Sequence, residues 1–317
     1  MLVHLQGVID YLNENMPDPV PQYILKKEIM HSSSNEVEYN KLRESKWYQQ
    51  LAAEQWENGS WGRFHTQDTK LQLKQEFTTT ELALRRAREL ALDKSDVMID
   101  KALQLMERYI LGQEDWLDVN EHHYGFQIAF KTLVAANLSL FDPKHPLVQI
   151  KKEICAHNLS RALIHGSLNE AIWEQENRKS NEILLKPYMV YIIWLLQDNE
   201  FLDETKQRIF LEYIWHRKEG IYYRTNSPSS DVEYLESKNF LTWLSGLEDL
   251  SDFSLFPEFM SKGTTSHLLN EIHRLMYHDV ILPNTIPIFG HYAETWSKKN
   301  FRKRDMLLRI MRILIKC

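Results

Sequence analysis

The chain has little cysteine, no long apolar run and no visible export signal. Its 317 residues include two cysteines, Cys155 and Cys317, which cannot form a disulfide framework and are typical of a reducing compartment. No apolar run approaches the roughly 20 residues that cross a bilayer. The first residues, from Met1 to Gln6, lack the charged start and apolar stretch of a signal peptide. We therefore expect a soluble, cytoplasmic protein.

Positive charge, glycine and proline are also scarce. The 38 basic residues are outnumbered by 44 acidic ones, and the net charge of −6 argues against nucleic acid as a partner. Ten glycines and ten prolines are few for this length, which favours a helical protein. Apolar residues, by contrast, are plentiful. Hydrophobic residues make up 43% of the chain and aromatic residues 11%, which is enough for a large buried core.

Apolar residues recur with the helical period along nearly the whole chain, and no series of strands is found. Pro17, Pro19 and Pro21 are expected to stop the first helix. A capping box of Thr78 and Glu81 is expected to begin the helix after the central loop. The predicted fold class is all-α, with helices at about 2–15, 35–54, 79–92, 96–111, 124–140, 146–165, 183–197, 203–216, 232–249, 264–278 and 300–316.

Residues 55–68 form the most unusual stretch, with two tryptophans, two glycines, a histidine and the carboxylate of Asp68 between two predicted helices. Asn58-Gly59 predicts a turn, because both residues tolerate positive φ. Gln55, Gly59 and Trp61 have the spacing of the QW motif. Such a motif ties the end of one helix to the start of the next. Its indole stacks over backbone, and its amide can bond free helix-terminal groups.

Turns that contain glycine and a large aromatic residue recur roughly 50–60 residues apart, about two helices and two connections. The segment Trp47–Leu92 resembles a repeat of the terpenoid cyclase and protein prenyltransferase α/α-toroid superfamily, in which the QW motif marks repeats. Residues 61–66 and 79–87 carry the likeness best, and residues 292–310 resemble the closing helix pair of bacterial toroid proteins. The resemblance implies one α/α-toroid domain over residues 1–317, with helix pairs closing into a barrel around one axis.

The best-known catalytic motifs of that superfamily are missing. The sequence has neither the Asp-x-Asp-Asp acid of class II cyclases nor the Asp-Asp-x-x-Asp motif that holds magnesium and diphosphate. Cys155 and His157 are two residues apart on a predicted helix and so point apart, which argues against zinc. No metal and no cofactor are predicted. A metal site at Glu121, His122 and His123, with nearby aspartates, stays open as an alternative.

The resemblance implies a terpene cyclase-like enzyme, an isoprenoid cyclase or lyase acting on an elongated apolar substrate in an aromatic-lined cavity. His65 and Asp68 are the predicted catalytic residues, since a histidine near a carboxylate makes an acid/base pair. The predicted substrate-binding residues are Trp61, Phe64, Glu81, Tyr191, Trp194 and Tyr222. Two structural alternatives remain: His65 packs on Trp61 or caps a helix, and the aromatic residues at helical spacing are core.

The C-terminal segment 301–316 is basic and amphipathic. It predicts a helix whose stripe of Leu307, Ile310, Met311 and Leu314 closes a helical ring or, alternatively, peripheral contact with an anionic membrane. Two further functions stay open for the whole chain. One is a non-catalytic toroid that binds a protein or small-molecule partner. The other is a carbohydrate-active toroid, in which paired carboxylates flank a sugar bond.

Overall fold

The computed structural model of the chain is built almost entirely of helices. It describes residues 2–32, 36–66, 75–116, 124–197, 200–222, 227–228, 233–237, 239–283, 291–294 and 296–317. These ranges contain two strands of two residues each. The all-α prediction is confirmed. None of the helices in the same ranges is both long enough and apolar enough to cross a membrane.

The helices are numbered in chain order. They are α1 (Leu2–Asn15), α2 (Pro19–Ile24), α3 (Glu36–Glu44), α4 (Lys46–Glu54), α5 (Thr80–Glu89), α6 (Val97–Leu111), α7 (Tyr124–Ser139), α8 (Pro146–Ala162), α9 (Glu170–Ser180), α10 (Val190–Leu196), α11 (Glu204–His216), α12 (Phe240–Leu250), α13 (Phe256–Phe259), α14 (Ser261–Tyr277) and α15 (Lys299–Leu314). A π-helical turn, Leu25–Ile29, continues α2, and β1 (Leu163–Ile164) pairs with β2 (Ser167–Leu168) as an antiparallel hairpin.

Capping residues set several of these helix ends. Asp96 and Asp203 precede α6 and α11, and each carboxylate accepts a hydrogen bond from a backbone amide of the first turn, at 2.9 Å in both cases. Gly112 follows α6 with a φ of 69°, the left-handed conformation that ends many helices. These signals are readable in the sequence, and both helices begin and end within about a residue of the predicted positions.

The first helix ends before the prolines, as predicted: α1 ends at Asn15, two residues before Pro17, and a separate helix, α2, begins at Pro19. Pro19 and Pro21 lie in the first turn of α2, where the amide that proline lacks has no helical partner in any case. The predicted helix 35–54 is instead two helices that meet at Ser45. The Ser45 hydroxyl accepts a hydrogen bond from the amide of Tyr48 at 3.3 Å and so caps α4.

The predicted helix 146–165 is too long, because α8 ends at Ala162. His165 and Gly166 have φ values of 49° and 77°, and these two residues turn β1 back into β2. The helix α9 that follows was not among the predicted ones. The helix predicted at 183–197 is shorter, since α10 begins only at Val190.

The contacts of the chain divide it into two compact units, and the division falls within α4 and near the end of α5. The first unit contains residues 1–50, 89–91 and 228–317. In it, α15 packs against α1, the π-helical turn, α12 and α14. The predicted stripe on α15 is fully buried: Leu307, Ile310, Met311 and Leu314. Closure of a ring by this helix, and a single domain over 1–317, stay predictions.

A buried group of charges fastens α15 within the first unit. Asp305 is 1% exposed and accepts hydrogen bonds from the backbone amides of Tyr292, at 2.8 Å, and of the residue after it. Arg312 Nε lies 2.6 Å from Glu28 Oε2, and its Nη1 donates to the hydroxyl of Tyr292. The guanidinium of Arg309 lies 4.4 Å from the centre of the Tyr292 ring. Each buried charge therefore has a partner, as its burial requires.

The second unit contains residues 51–88 and 92–227. In it, α6, α7, α8 and α9 pack each against the next in chain order, and α10 lies against α7 and α8. All seven residues of α10 are buried. Trp173 on α9 is also buried, and its indole nitrogen donates to the carbonyl of Leu185 at 2.7 Å. Helix-by-helix packing of this kind places the loop at residues 55–66 beside α5 and α6.

Candidate functional site

The loop at residues 55–66 fastens the end of α4, as the QW motif predicts. Trp61 is 0% exposed, and its indole nitrogen donates to the carbonyl of Leu51 at 2.8 Å. That carbonyl belongs to the last turn of α4, where the helix cannot supply a donor. The side-chain amide of Gln55 donates to the carbonyl of Gly59 at 3.0 Å and to that of Met98, on α6, at 2.8 Å. The Gln55 side chain therefore fixes the loop to α6, and the Trp61 indole fixes it to α4.

Gly59 is required by the space around it as well as by its backbone. Its φ is +96°, and an added Cβ would lie 2.5 Å from the carbonyl oxygen of Lys101 on α6. Asn58 completes the turn, since its side-chain oxygen accepts hydrogen bonds from the amide and the hydroxyl of Ser60. This turn brings residues 61–66 against the start of α5.

The first turn of α5 is bonded directly to that loop. The amides of Thr80 and Glu81 donate to the carbonyls of Arg63 and Phe64, at 2.8 and 3.0 Å. The Thr80 hydroxyl accepts a hydrogen bond from the amide of Trp61 at 3.0 Å. Loop carbonyls thus satisfy amides that a helix start leaves without partners. Because Phe64 is bonded to the amide of Glu81, the next loop residue is brought close to the Glu81 side chain.

The predicted capping box is wrong in its residues. Thr79 is the capping residue, and its hydroxyl accepts a hydrogen bond from the amide of Leu82 at 3.2 Å. The Glu81 carboxylate does not reach back to Thr78. It pairs with a histidine instead.

His65 and Glu81 form the central pair of the candidate site. His65 Nδ1 lies 2.7 Å from Glu81 Oε2, and the two side chains are 21% and 18% exposed. When Nδ1 carries the proton and donates it to the carboxylate, Nε2 is the ring nitrogen that can accept a second proton. A histidine oriented in this way by a carboxylate is the arrangement used in general acid/base catalysis. The pair is thus neither fully buried nor fully exposed.

Two aromatic rings lie near His65. The ring of Tyr191, on α10, is 6.4 Å from the imidazole and nearly perpendicular to it, and the ring of Phe126, on α7, is 6.5 Å away. Tyr191 also contacts Trp194 edge to face at 5.6 Å. Tyr191 and Trp194 were among the predicted substrate-binding residues, and Phe126 was not. Nothing in the sequence around Phe126 indicates that α7 passes the loop.

The other predicted substrate-binding residues are placed differently. Trp61 and Phe64 are 0% exposed. Phe64 packs edge to face on Phe130 at 5.4 Å, so in this structure its surface is covered by the protein itself. Tyr222 is 46% exposed, and its amide donates to the carbonyl of Tyr188 at 3.0 Å. Asp68, the second predicted catalytic residue, lies outside the described residues. The carboxylate that the structure places on His65 is that of Glu81.

The predicted metal alternative at Glu121, His122 and His123 also lies outside the described residues. In the part of the chain that is described, no group of three or more histidine, cysteine, aspartate or glutamate side chains could hold a metal ion. Cys155 is fully buried, and this burial raises the pKa of its thiol well above the ordinary value. Its thiolate is correspondingly disfavoured.

The fold and the site together define an all-α protein with a partly exposed histidine–carboxylate pair between aromatic side chains. Comparison with known proteins adds no relative: no family model matches the chain, and neither a curated protein nor a solved structure is similar to it.

Proposed function

We propose that the chain is an enzyme that uses His65 and Glu81 as an acid/base pair on an elongated apolar substrate of the isoprenoid class. The observation that carries this proposal is the 2.7 Å contact between His65 Nδ1 and Glu81 Oε2, with both side chains about one-fifth exposed. The proposed class is terpene cyclase-like, and the proposed architecture is the α/α toroid that the resemblance implies.

The proposed chemistry is proton transfer at carbon. The protonated His65 donates its Nε2 proton to one carbon of a substrate double bond, which leaves a carbocation on the other carbon, while the Glu81 carboxylate stabilises the imidazolium. Nε2 then takes a proton from a carbon next to the carbocation, the electron pair of that C–H bond forms a double bond at a new position, and the isomerisation is complete with His65 protonated again. This route needs neither the Asp-x-Asp-Asp acid nor the magnesium-binding motif that the sequence lacks.

Aromatic neighbours support an apolar substrate with transient positive charge. The ring of Tyr191 lies beside His65, and Trp194 extends the aromatic surface behind it. Aromatic rings attract cations through their quadrupoles, by about 0.5–2 kcal/mol for each well-placed ring. They also keep water away from a reactive carbocation.

The rival function is a non-catalytic protein that binds a partner or a small molecule. The observation in its favour is the burial of Trp61, Phe64 and Trp173, each 0% exposed. Much of the aromatic content of the second unit is therefore used in packing, as in an ordinary core.

The deciding experiment compares cells that express the wild-type chain, His65→Gln or Glu81→Gln. Their lipid extracts are analysed by untargeted mass spectrometry. We expect a product that depends on the wild-type chain and is absent with His65→Gln or Glu81→Gln. The matched control is His157→Gln, a change of the same type at an exposed position on α8 in the same unit. It should leave the product unchanged.

Two results would favour the binding protein instead. One is a lipid profile that is identical with and without the wild-type chain. The other is full product formation by both His65→Gln and Glu81→Gln, confirmed with purified proteins whose circular dichroism matches that of the wild type.

A further inference from the structure

Positive charge is concentrated at the start of α15. Residues 298–304 contain five basic side chains around one phenylalanine and no acidic residue: Lys298, Lys299, Phe301, Arg302, Lys303 and Arg304. The whole chain has a net charge of −6, so this local charge of +5 is opposite in sign to the rest of the molecule. We call these residues the cationic patch. All of them belong to the first unit.

Phe301 lies at the centre of the cationic patch and is half-buried. The ammonium of Lys298 is 5.7 Å from the centre of its ring, and the guanidinium of Arg304 is 5.4 Å away. Such cation–π contacts order long basic side chains without neutralising them. The patch therefore presents an arranged set of charges.

Ion pairing within the described residues leaves part of this charge unneutralised. Lys299 forms an ion pair with Asp279, and Lys303 Nζ lies 3.4 Å from the carbonyl of Met276. Across the described ranges, no carboxylate lies within ion-pair distance of Lys298 or Arg304. The amino-terminal end of α15 adds the positive end of its helix dipole. The charges of Lys298 and Arg304 are thus available to an anionic partner.

We propose that the cationic patch binds the surface of an anionic phospholipid bilayer. Lipid phosphates and carboxylates complement its charge, and a ring such as Phe301 suits the boundary between headgroups and acyl chains. The apolar stripe of α15 is not available for insertion, because Leu307, Ile310, Met311 and Leu314 are buried in the first unit. Binding is therefore superficial and mainly electrostatic. Each basic residue near such a surface strengthens binding about fivefold.

The test is sedimentation of the full chain with vesicles of phosphatidylcholine alone or of phosphatidylcholine mixed with phosphatidylserine. We expect binding only to the mixed vesicles, and loss of binding at high salt. Lys298→Gln with Arg304→Gln should weaken binding about 25-fold, as two charges are lost. The matched control is Lys41→Gln with Arg43→Gln, which removes two exposed charges from α3 in the same unit. It should bind like the wild type.

Four results would overturn the proposal. The first is sedimentation of the wild type with neither vesicle, and the second is an equal loss of binding by both double variants, which would reduce the effect to net charge. Inhibition by dilute inorganic phosphate at constant ionic strength would instead indicate a site for free phosphate. A gel shift with duplex DNA in the absence of vesicle binding would assign the patch to nucleic acid. Helical circular dichroism of each variant checks that the protein is folded.

Discussion

Replacing Gly59 by alanine should destabilise the second unit more than the same change at Gly112, which also has a positive φ. The added Cβ would stand 2.5 Å from the carbonyl oxygen of Lys101 and 2.8 Å from its carbonyl carbon. Both atoms belong to the backbone of α6, so no side chain can swing away. Either the loop or the helix must move by about 1 Å to restore an ordinary contact distance.

The loss of stability expected for Gly59→Ala has two parts. A non-glycine residue in left-handed backbone costs about 1–2 kcal/mol, and Gly59 has a φ of +96°. Relief of the close approach adds about 1–3 kcal/mol, as in other overpacked sites. Gly112 isolates the first part, because its φ is +69° but nothing lies within 4 Å of its added Cβ. We therefore expect Gly59→Ala to cost about 2–5 kcal/mol, and Gly112→Ala about 1–2 kcal/mol.

Urea unfolding followed by circular dichroism and tryptophan fluorescence measures both changes. The expected result is a lower midpoint for Gly59→Ala than for Gly112→Ala, at similar slope. Equal losses for the two variants would refute the close approach of the loop to α6. The fixed position of the QW loop would then have to be abandoned.

Three further predictions concern other contacts. Trp61→Ala should lower the free energy of unfolding by about 3–5 kcal/mol, measured by urea unfolding, because it empties a fully buried indole site; an unchanged midpoint would contradict the role of the QW tryptophan. Thr80→Val removes the acceptor for the amide of Trp61 and should cost about 1–3 kcal/mol in the same assay. Burial raises the pKa of Asp305 from 3.8 to about 7. The folded state therefore holds a proton that the unfolded state releases, so this contribution to stability is complete below the unfolded pKa and is lost as the pH rises through about 7. The difference in unfolding free energy between wild type and Asp305→Asn should fall as the pH rises over that range, and a constant difference would disprove the assignment.

The sequence predicts helices well where a capping residue marks the end and a long apolar period fills the middle. The bounds of α1 were predicted to the residue. It predicts poorly where a short polar contact decides the outcome. The break at Ser45 depends on one hydroxyl, and the hairpin at His165 depends on a non-glycine residue with positive φ. Neither has an apolar pattern of its own.

The candidate site was predicted in part. His65 and Glu81 both stood among the predicted site residues, but their pairing was not predicted, because they are 16 residues apart. Their contact depends on two backbone hydrogen bonds between the loop and α5. Backbone hydrogen bonds leave no pattern in the residue types. Asp68, which is nearer to His65 in sequence than Glu81 is, was therefore predicted as its carboxylate partner. Phe126 was missed for a related reason: only tertiary packing brings α7 to the loop.

The short sequence span of the QW contacts has a consequence for how the second unit folds. The indole of Trp61 reaches a carbonyl only ten residues before it, and the amide of Gln55 reaches one four residues after it. Closing loops of this size takes about 10–100 ns, far less than bringing distant helices together. The end of α4 and its loop can therefore form a native-like nucleus before α5 docks. In a kinetic experiment, Trp61→Ala, which removes the contact with Leu51, should slow refolding, whereas a change in the His65–Glu81 contact should mainly speed unfolding.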